Sequence, residues 1–82
     1  MIVTVRVFGR YKTITNKEKI QLNIGKRNTL GDVIECFVKK YPDTEKDKNH
    51  MMVSKNKTYS SFNTTITKDD EITLSPPIVS GG

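Results

Sequence analysis

The chain has 82 residues, 34% of them hydrophobic, and carries 14 lysines and arginines against 9 acidic residues, for a formal net charge of +5. That length makes one domain, which buries only about 60–65% of its unfolded surface, so the apolar positions have to be well placed. The single cysteine, Cys36, excludes an internal disulfide, and the apolar start is broken at Arg6, far short of a leader or a membrane span; a reducing cytoplasm is the expected location.

Ile2 to Phe8 alternates, with Val3, Val5 and Val7 on one side and Ile2, Thr4, Arg6 and Phe8 on the other. This predicts a strand whose β-branched side faces the core and whose last residue, Phe8, faces out. Gly9 marks the exit. Residues 10–18 are polar and irregular and read as a loop turning at Asn16-Lys17. Ile20, Leu22 and Ile24 then alternate with Lys19, Gln21 and Asn23, a second strand pairing antiparallel with the first.

The helix carries the strongest local signals. Thr29 is a natural N-cap, with Asp32 three residues later as the capping-box acid. Leu30, Val33, Ile34, Phe37 and Val38 make one apolar stripe. Asp32 and Glu35 early, with Lys39 and Lys40 late, suit the helix dipole, and Glu35–Lys39 is a favourable i, i+4 pair. Tyr41 closes the helix because a residue before proline avoids helical ψ.

Pro42 to Asn49 reads as a solvated charged loop, Met51 to Lys55 as a short strand, and Asn56-Lys57 as a turn into a brief Tyr59–Phe62 segment. Ile66 is an isolated apolar anchor, Lys68-Asp69-Asp70 a turn, and Glu71 to Ser75 a last strand with Ile72 and Leu74 inward. A hairpin, a crossing helix and a final strand beside the first describe an α+β, β-grasp (ubiquitin-like) architecture: a mixed sheet with one main helix on one face. The expected division is a domain over 1–77 and a flexible tail over 78–82, where no apolar periodicity provides a place to dock.

The tail is the most distinctive stretch. Pro76 and Pro77 remove two backbone donors, so a strand must stop there. Ile78, Val79 and Ser80 follow, then Gly81 and Gly82, which lack Cβ atoms and suit a tail threading a narrow slot. A terminal glycine leaves its carboxylate sterically open. Elsewhere chemistry is sparse. Cys36 lacks a neighbouring base and reads as an inert thiol, His50 has no spaced Cys or His partners, and no metal site is expected. Asp69-Asp70 reads as a turn former. No Walker-type loop is present, so no nucleotide cofactor is expected on this chain.

With Ser-Pro-Pro-Ile-Val-Ser-Gly-Gly at 75–82, Thr29-Leu30-Gly31-Asp32-Val33 opening the helix, Val53-Ser54-Lys55-Asn56, and Thr65 to Ile72, the sequence resembles the ubiquitin-like sulfur carriers. Within them it is most similar to the small subunit of molybdopterin synthase, since the thiamine branch usually lacks the Pro-Pro. It departs where Ser75 stands for a frequent aromatic, where Asp69 stands for a glycine whose left-handed turn conformation aspartate can tolerate, and in its basic charge. The resemblance implies that Gly82 is adenylated by a ubiquitin-activating-type adenylyltransferase, which supplies ATP and Mg²⁺, and becomes a thiocarboxylate. It further implies a large synthase subunit, in a heterotetramer, that takes the tail, with Phe8 and Tyr59 at partner-contacting positions. Two other readings stay open. One is a modifier joined through Gly82 to lysines, or a carrier serving thiamine or tRNA thiolation. The other is a nucleic-acid-binding surface of Arg6, Phe8, Arg10 and Tyr11, which no recognisable motif supports and which leaves the tail unexplained.

Overall fold

The computed structural model describes residues 1–77; the tail expected to be flexible, 78–82, lies outside the described residues. Strand β1 (Ile2–Val7) pairs antiparallel with β2 (Lys19–Asn23), with Val5 opposite Ile20 and Val3 opposite Leu22. Main helix α2 (Leu30–Lys40) follows, preceded by a short helix α1 (Arg10–Thr15) between β1 and β2. Beyond a 3₁₀ helix (Pro42–Asp47) come β3 (Met52–Lys55), β4 (Thr58–Tyr59) and β5 (Ile72–Ser75). The five strands form one mixed sheet in the order β2-β1-β5-β3-β4, with β5 in the centre, parallel to β1 and antiparallel to β3. This is the β-grasp arrangement.

The core is the one the periodicities anticipate. Val3, Val5, Val7, Ile20, Leu22, Ile72 and Leu74 meet the α2 stripe of Leu30, Val33, Ile34, Phe37 and Val38, and all are buried. Ile66, the isolated apolar residue, is buried among them. At the start of α2, Thr29 accepts from the Asp32 N–H at 3.2 Å, and Asp32 accepts from the Thr29 N–H at 3.0 Å. The capping box is complete. Partial burial would raise the Asp32 carboxyl pKa, but the hydrogen bonds from Thr29 and Asn28 and the charge of Arg27 outweigh it and hold it below the usual range.

Three expectations are corrected. Residues 10–15 are helical, and Tyr11 is fully buried. Its ring packs 5.3 Å from that of Phe37, and its hydroxyl donates to Asp47 at 2.8 Å. Burial, reinforced by that carboxylate, pushes the phenol pKa well up, so Tyr11 stays a donor. Arg10 binds the same carboxylate. Nor is Pro42–Asn49 a solvated loop, because Thr44 and Asp47 are buried. They lie three residues apart, the repeat of a 3₁₀ turn, and each has a polar partner: Thr44 Oγ1 donates to the Tyr41 carbonyl at 2.7 Å, and Asp47 Oδ2 accepts from Tyr11. A pattern search for apolar periodicity passes over a buried face made of Thr and Asp. Finally, Glu35 pairs with Arg27 rather than Lys39, because the chain before the helix brings the guanidinium within reach.

Thr29→Ala is expected to cost about 1 kcal/mol. In a domain this small that corresponds to a fall of roughly 4–8 °C in Tm. Asp70, held below its ordinary range by the Thr67 N–H and the Asn56 amide, acts with Asp32 in acid. Because both folded-state values are depressed, their stabilisation is complete above the unfolded value near about pH 4 and disappears as pH falls through the folded values. Thermal melts from pH 6 to pH 2 should show this loss, and an Asp32→Asn, Asp70→Asn double variant should show a flatter profile.

Candidate functional site

Strand β5 is held on both sides. Arg6 faces Thr73 and Val7 faces Leu74 across β1, while Met52 faces Ser75 and Val53 faces Leu74 across β3. Phe8 N–H donates to the Leu74 carbonyl at 3.1 Å, carrying the β1–β5 contact to the last turn of the ladder. Pro76 then ends it, having no N–H to offer.

The geometry of that exit depends on Gly9, which the sequence reading treats only as a strand end. Gly9 has φ 59° and ψ −140°, a backbone conformation open in practice to glycine alone. A Cβ there would sit 3.2 Å from both Cδ and Cγ of Pro76. The bare glycine turns the chain from β1 into α1, letting the Tyr11 N–H reach the Phe8 carbonyl at 3.2 Å, and it makes room for the proline ring. The signal was present as a glycine directly after a strand, but its neighbour is 67 positions away and only the β1–β5 pairing brings them together.

Of the residues expected to form the site, Pro76 and Pro77 are half-buried at the exit. Phe8 is 38% and Tyr59 68% exposed. The register runs Arg6–Thr73–Ser54–Tyr59 across the sheet, so Phe8 and Tyr59 share the face away from α2. They stand three strand spacings apart, on the order of 14 Å. They therefore flank the exit, with Met52 between them on the same face, and do not make one continuous patch. Ile78, Val79, Ser80, Gly81 and Gly82 lie outside the described residues. Met52 and Lys12, whose Nζ is 5.5 Å from the Phe8 ring centroid, were not anticipated here.

The other singled-out residues fall away from the exit. Cys36 is half-buried, its Sγ 3.7 Å from an Arg27 nitrogen and from the Asn23 carbonyl, with no base among these neighbours. His50 is exposed after the 3₁₀ helix. Asp69 does not need its tolerance of the left-handed region: the non-glycine residues with positive φ among the described ones are Asn16, Asn56 and Lys57. Asp70 organises that region, accepting from the Thr67 N–H at 2.7 Å and the Asn56 amide at 3.0 Å. The stacking surface proposed for nucleic acid loses Tyr11 to the core. Among the described residues no His, Cys, Asp and Glu cluster is placed to hold a metal ion, and no helix is long and apolar enough to cross a membrane.

A mixed five-stranded sheet gripping one main helix, with β5 central and parallel to β1, defines a ubiquitin-like β-grasp protein. The ThiS family model matches residues 5–82, and the chain belongs to that family of ubiquitin-like sulfur carriers. Solved structures share the fold. Small archaeal modifier protein 1 from Haloferax volcanii is 22% identical, with 100% of each chain covered and a TM-score of 0.79. The HVO 2177 protein of the same organism is 21% identical, covering 99% of this chain and 87% of its own, with a TM-score of 0.84. The Helicobacter pylori complex of subunits 1 and 2 of molybdopterin-converting factor matches at 24% identity, 99% and 100% coverage and a TM-score of 0.62. No curated protein matches the sequence.

Gly9→Ala is expected to lose about 1–3 kcal/mol from the strained φ. It should also move the Pro76 and Pro77 resonances in a heteronuclear NMR spectrum, since the new methyl pushes on the ring. Unshifted proline signals would show that Gly9 does not set the exit.

Proposed function

We propose that this chain is the sulfur-carrying small subunit of a molybdopterin synthase, with the Gly82 carboxylate as its reacting group. The observation that carries the reading is the exit of β5: the central strand, paired on both sides, ends at Pro76-Pro77 and leads into five further residues closing on Gly81-Gly82. Fully extended, five residues reach roughly 17 Å, enough to enter a deep pocket in another protein while the domain stays at its mouth.

The chemistry follows from the terminus. A carboxylate is a poor acyl donor because its oxygen leaves badly. Attack of a carboxylate oxygen on the α-phosphorus of ATP, bound with Mg²⁺ by a ubiquitin-activating-type partner, releases pyrophosphate and forms an acyl adenylate. A sulfide-equivalent nucleophile then adds at the carbonyl, the C–O bond breaks and AMP leaves, giving the thiocarboxylate. In the large subunit that sulfur attacks a precursor carbon bearing an oxygen substituent, the C–O bond there breaks, and the oxygen leaves as a protonated or phosphorylated group. Water then cleaves the old acyl–sulfur bond and restores the carboxylate. Gly81 and Gly82 present no side chain to obstruct any of these attacks.

A second reading shares the activation step and differs in the acceptor: a lysine amine takes the acyl group and an isopeptide bond forms. The likeness in fold to small archaeal modifier protein 1 over the whole of both chains favours keeping it. A carrier for thiamine or tRNA thiolation is the corresponding variant on the sulfur side.

Deletion of Gly82 tests the common step. The variant should melt within about 0.5 kcal/mol of the parent, since the core lies elsewhere. It should nevertheless lose ATP–pyrophosphate exchange with the adenylating enzyme of the same cell. The tail is shortened by about 3.3 Å, where a misplacement of about 1 Å can cost roughly a hundredfold in rate. Full exchange by a normally folded deletion variant would remove the terminus from the reaction.

A further inference from the structure

The outer sheet face beside the exit carries positive charge that works against the fold. Arg6 on β1 and Lys19 on β2 are directly opposite in the antiparallel register, and both are exposed. Like charges at opposed positions destabilise a strand pair. Among the described residues neither is in an ion pair. A shallow depression beside them is lined by Arg6, Phe8, Lys12, Glu18 and Lys19. Its one acid, Glu18, lies 3.9 Å from Lys12, which leaves Arg6 and Lys19 unmatched. On their other side Arg6 and Lys19 line a second depression with Thr4, Asp70 and Glu71, and among the described residues neither carboxylate comes within ion-pair distance of them. Asp70 is already engaged by Thr67, Asn56 and Lys55.

We propose that Arg6, Lys19 and Lys12, grouped around the exposed Phe8 ring, form a docking surface for a partner protein that presents carboxylates around an apolar contact, next to the opening that receives the tail. The proposal rests on the sulfur-carrier reading and adds the chemistry of the partner's surface. Continuity with the exit supports it, because the Phe8 N–H is bonded to the Leu74 carbonyl and a protein engaging the tail meets this face in fixed geometry. A carboxylate from the partner would neutralise the opposed cations, which the isolated domain leaves facing each other. Nucleic acid fits less well, since the buried Tyr11 offers no ring for base stacking.

The test uses the full chain, the adenylating enzyme of the same cell and ATP–pyrophosphate exchange at low and high salt. Arg6→Glu and Lys19→Glu should each lower kcat/KM about tenfold at low ionic strength, through KM and with kcat at saturation retained. The gap should narrow as salt rises and the screening length shrinks. Lys19→Glu should melt at or above the parent, because the opposed pair becomes one of opposite charge, so that stability and coupling to the partner move in opposite directions. Lys19→Gln, which only removes charge, serves if the reversal fails to fold and should show a smaller loss of the same sign. Charge variants equal to the parent at every salt, or deficient in kcat alone, would overturn the surface. So would a single-stranded oligonucleotide that binds the parent but not the variants while exchange is unchanged. A parent chain that supports no exchange at any salt overturns the sulfur-carrier reading, and this proposal with it.

Discussion

Strand β5 serves two purposes with the same few residues. Ile72 and Leu74 place their side chains in the core while the backbone bonds to β1 on one side and β3 on the other. A strand in that position cannot shift register by one residue without turning both apolar side chains to solvent. Its end therefore sits at a fixed point on the domain surface, and the tail starts from there. Because β5 is paired on both sides, its end cannot fray without breaking ladders to two neighbours.

The exit itself is shaped by an absence of atoms. Pro76 has no N–H and so stops the ladder, and Gly9 has no Cβ and so accommodates the proline ring at a φ other residues avoid. Neither feature contributes binding energy of its own. Together they end the strand at Pro76 and fix where the chain leaves the sheet. Exposed Phe8 and Tyr59 flank this point on the sheet face opposite the helix, leaving apolar surface free on the side that α2 does not cover.

Much of this was legible in the sequence because most of the fold rests on apolar periodicity. Alternating valines in β1, the Leu30–Val38 stripe and the Ile72–Leu74 pair specify strand, helix and strand, and the capping box marks the helix start to the residue. What escaped notice is polar and long-range. Tyr11 and Asp47 can be buried because the phenol donates to the carboxylate, and Thr44 because its hydroxyl donates to the Tyr41 carbonyl, and no hydropathy pattern announces such a set. Arg27 captures Glu35 from Lys39 through a turn whose path cannot be read locally. The terminal motif was visible at once, whereas Gly9 gains meaning only when the parallel pairing of β1 and β5 sets it against Pro76.

The central claim is that Gly82 carries sulfur. Intact-mass spectrometry of the chain isolated from its own cells, with fragmentation to locate the change, tests it most directly. The account predicts a fraction whose C-terminal carboxylate has exchanged one oxygen for sulfur, with the exchange confined to Gly82 and the sulfur trapped there as an adduct by an alkylating reagent. A population consisting only of free carboxylate and of isopeptide adducts on lysines, with no thiocarboxylate under sulfur-replete growth, would contradict it and leave protein modification as the function of the tail.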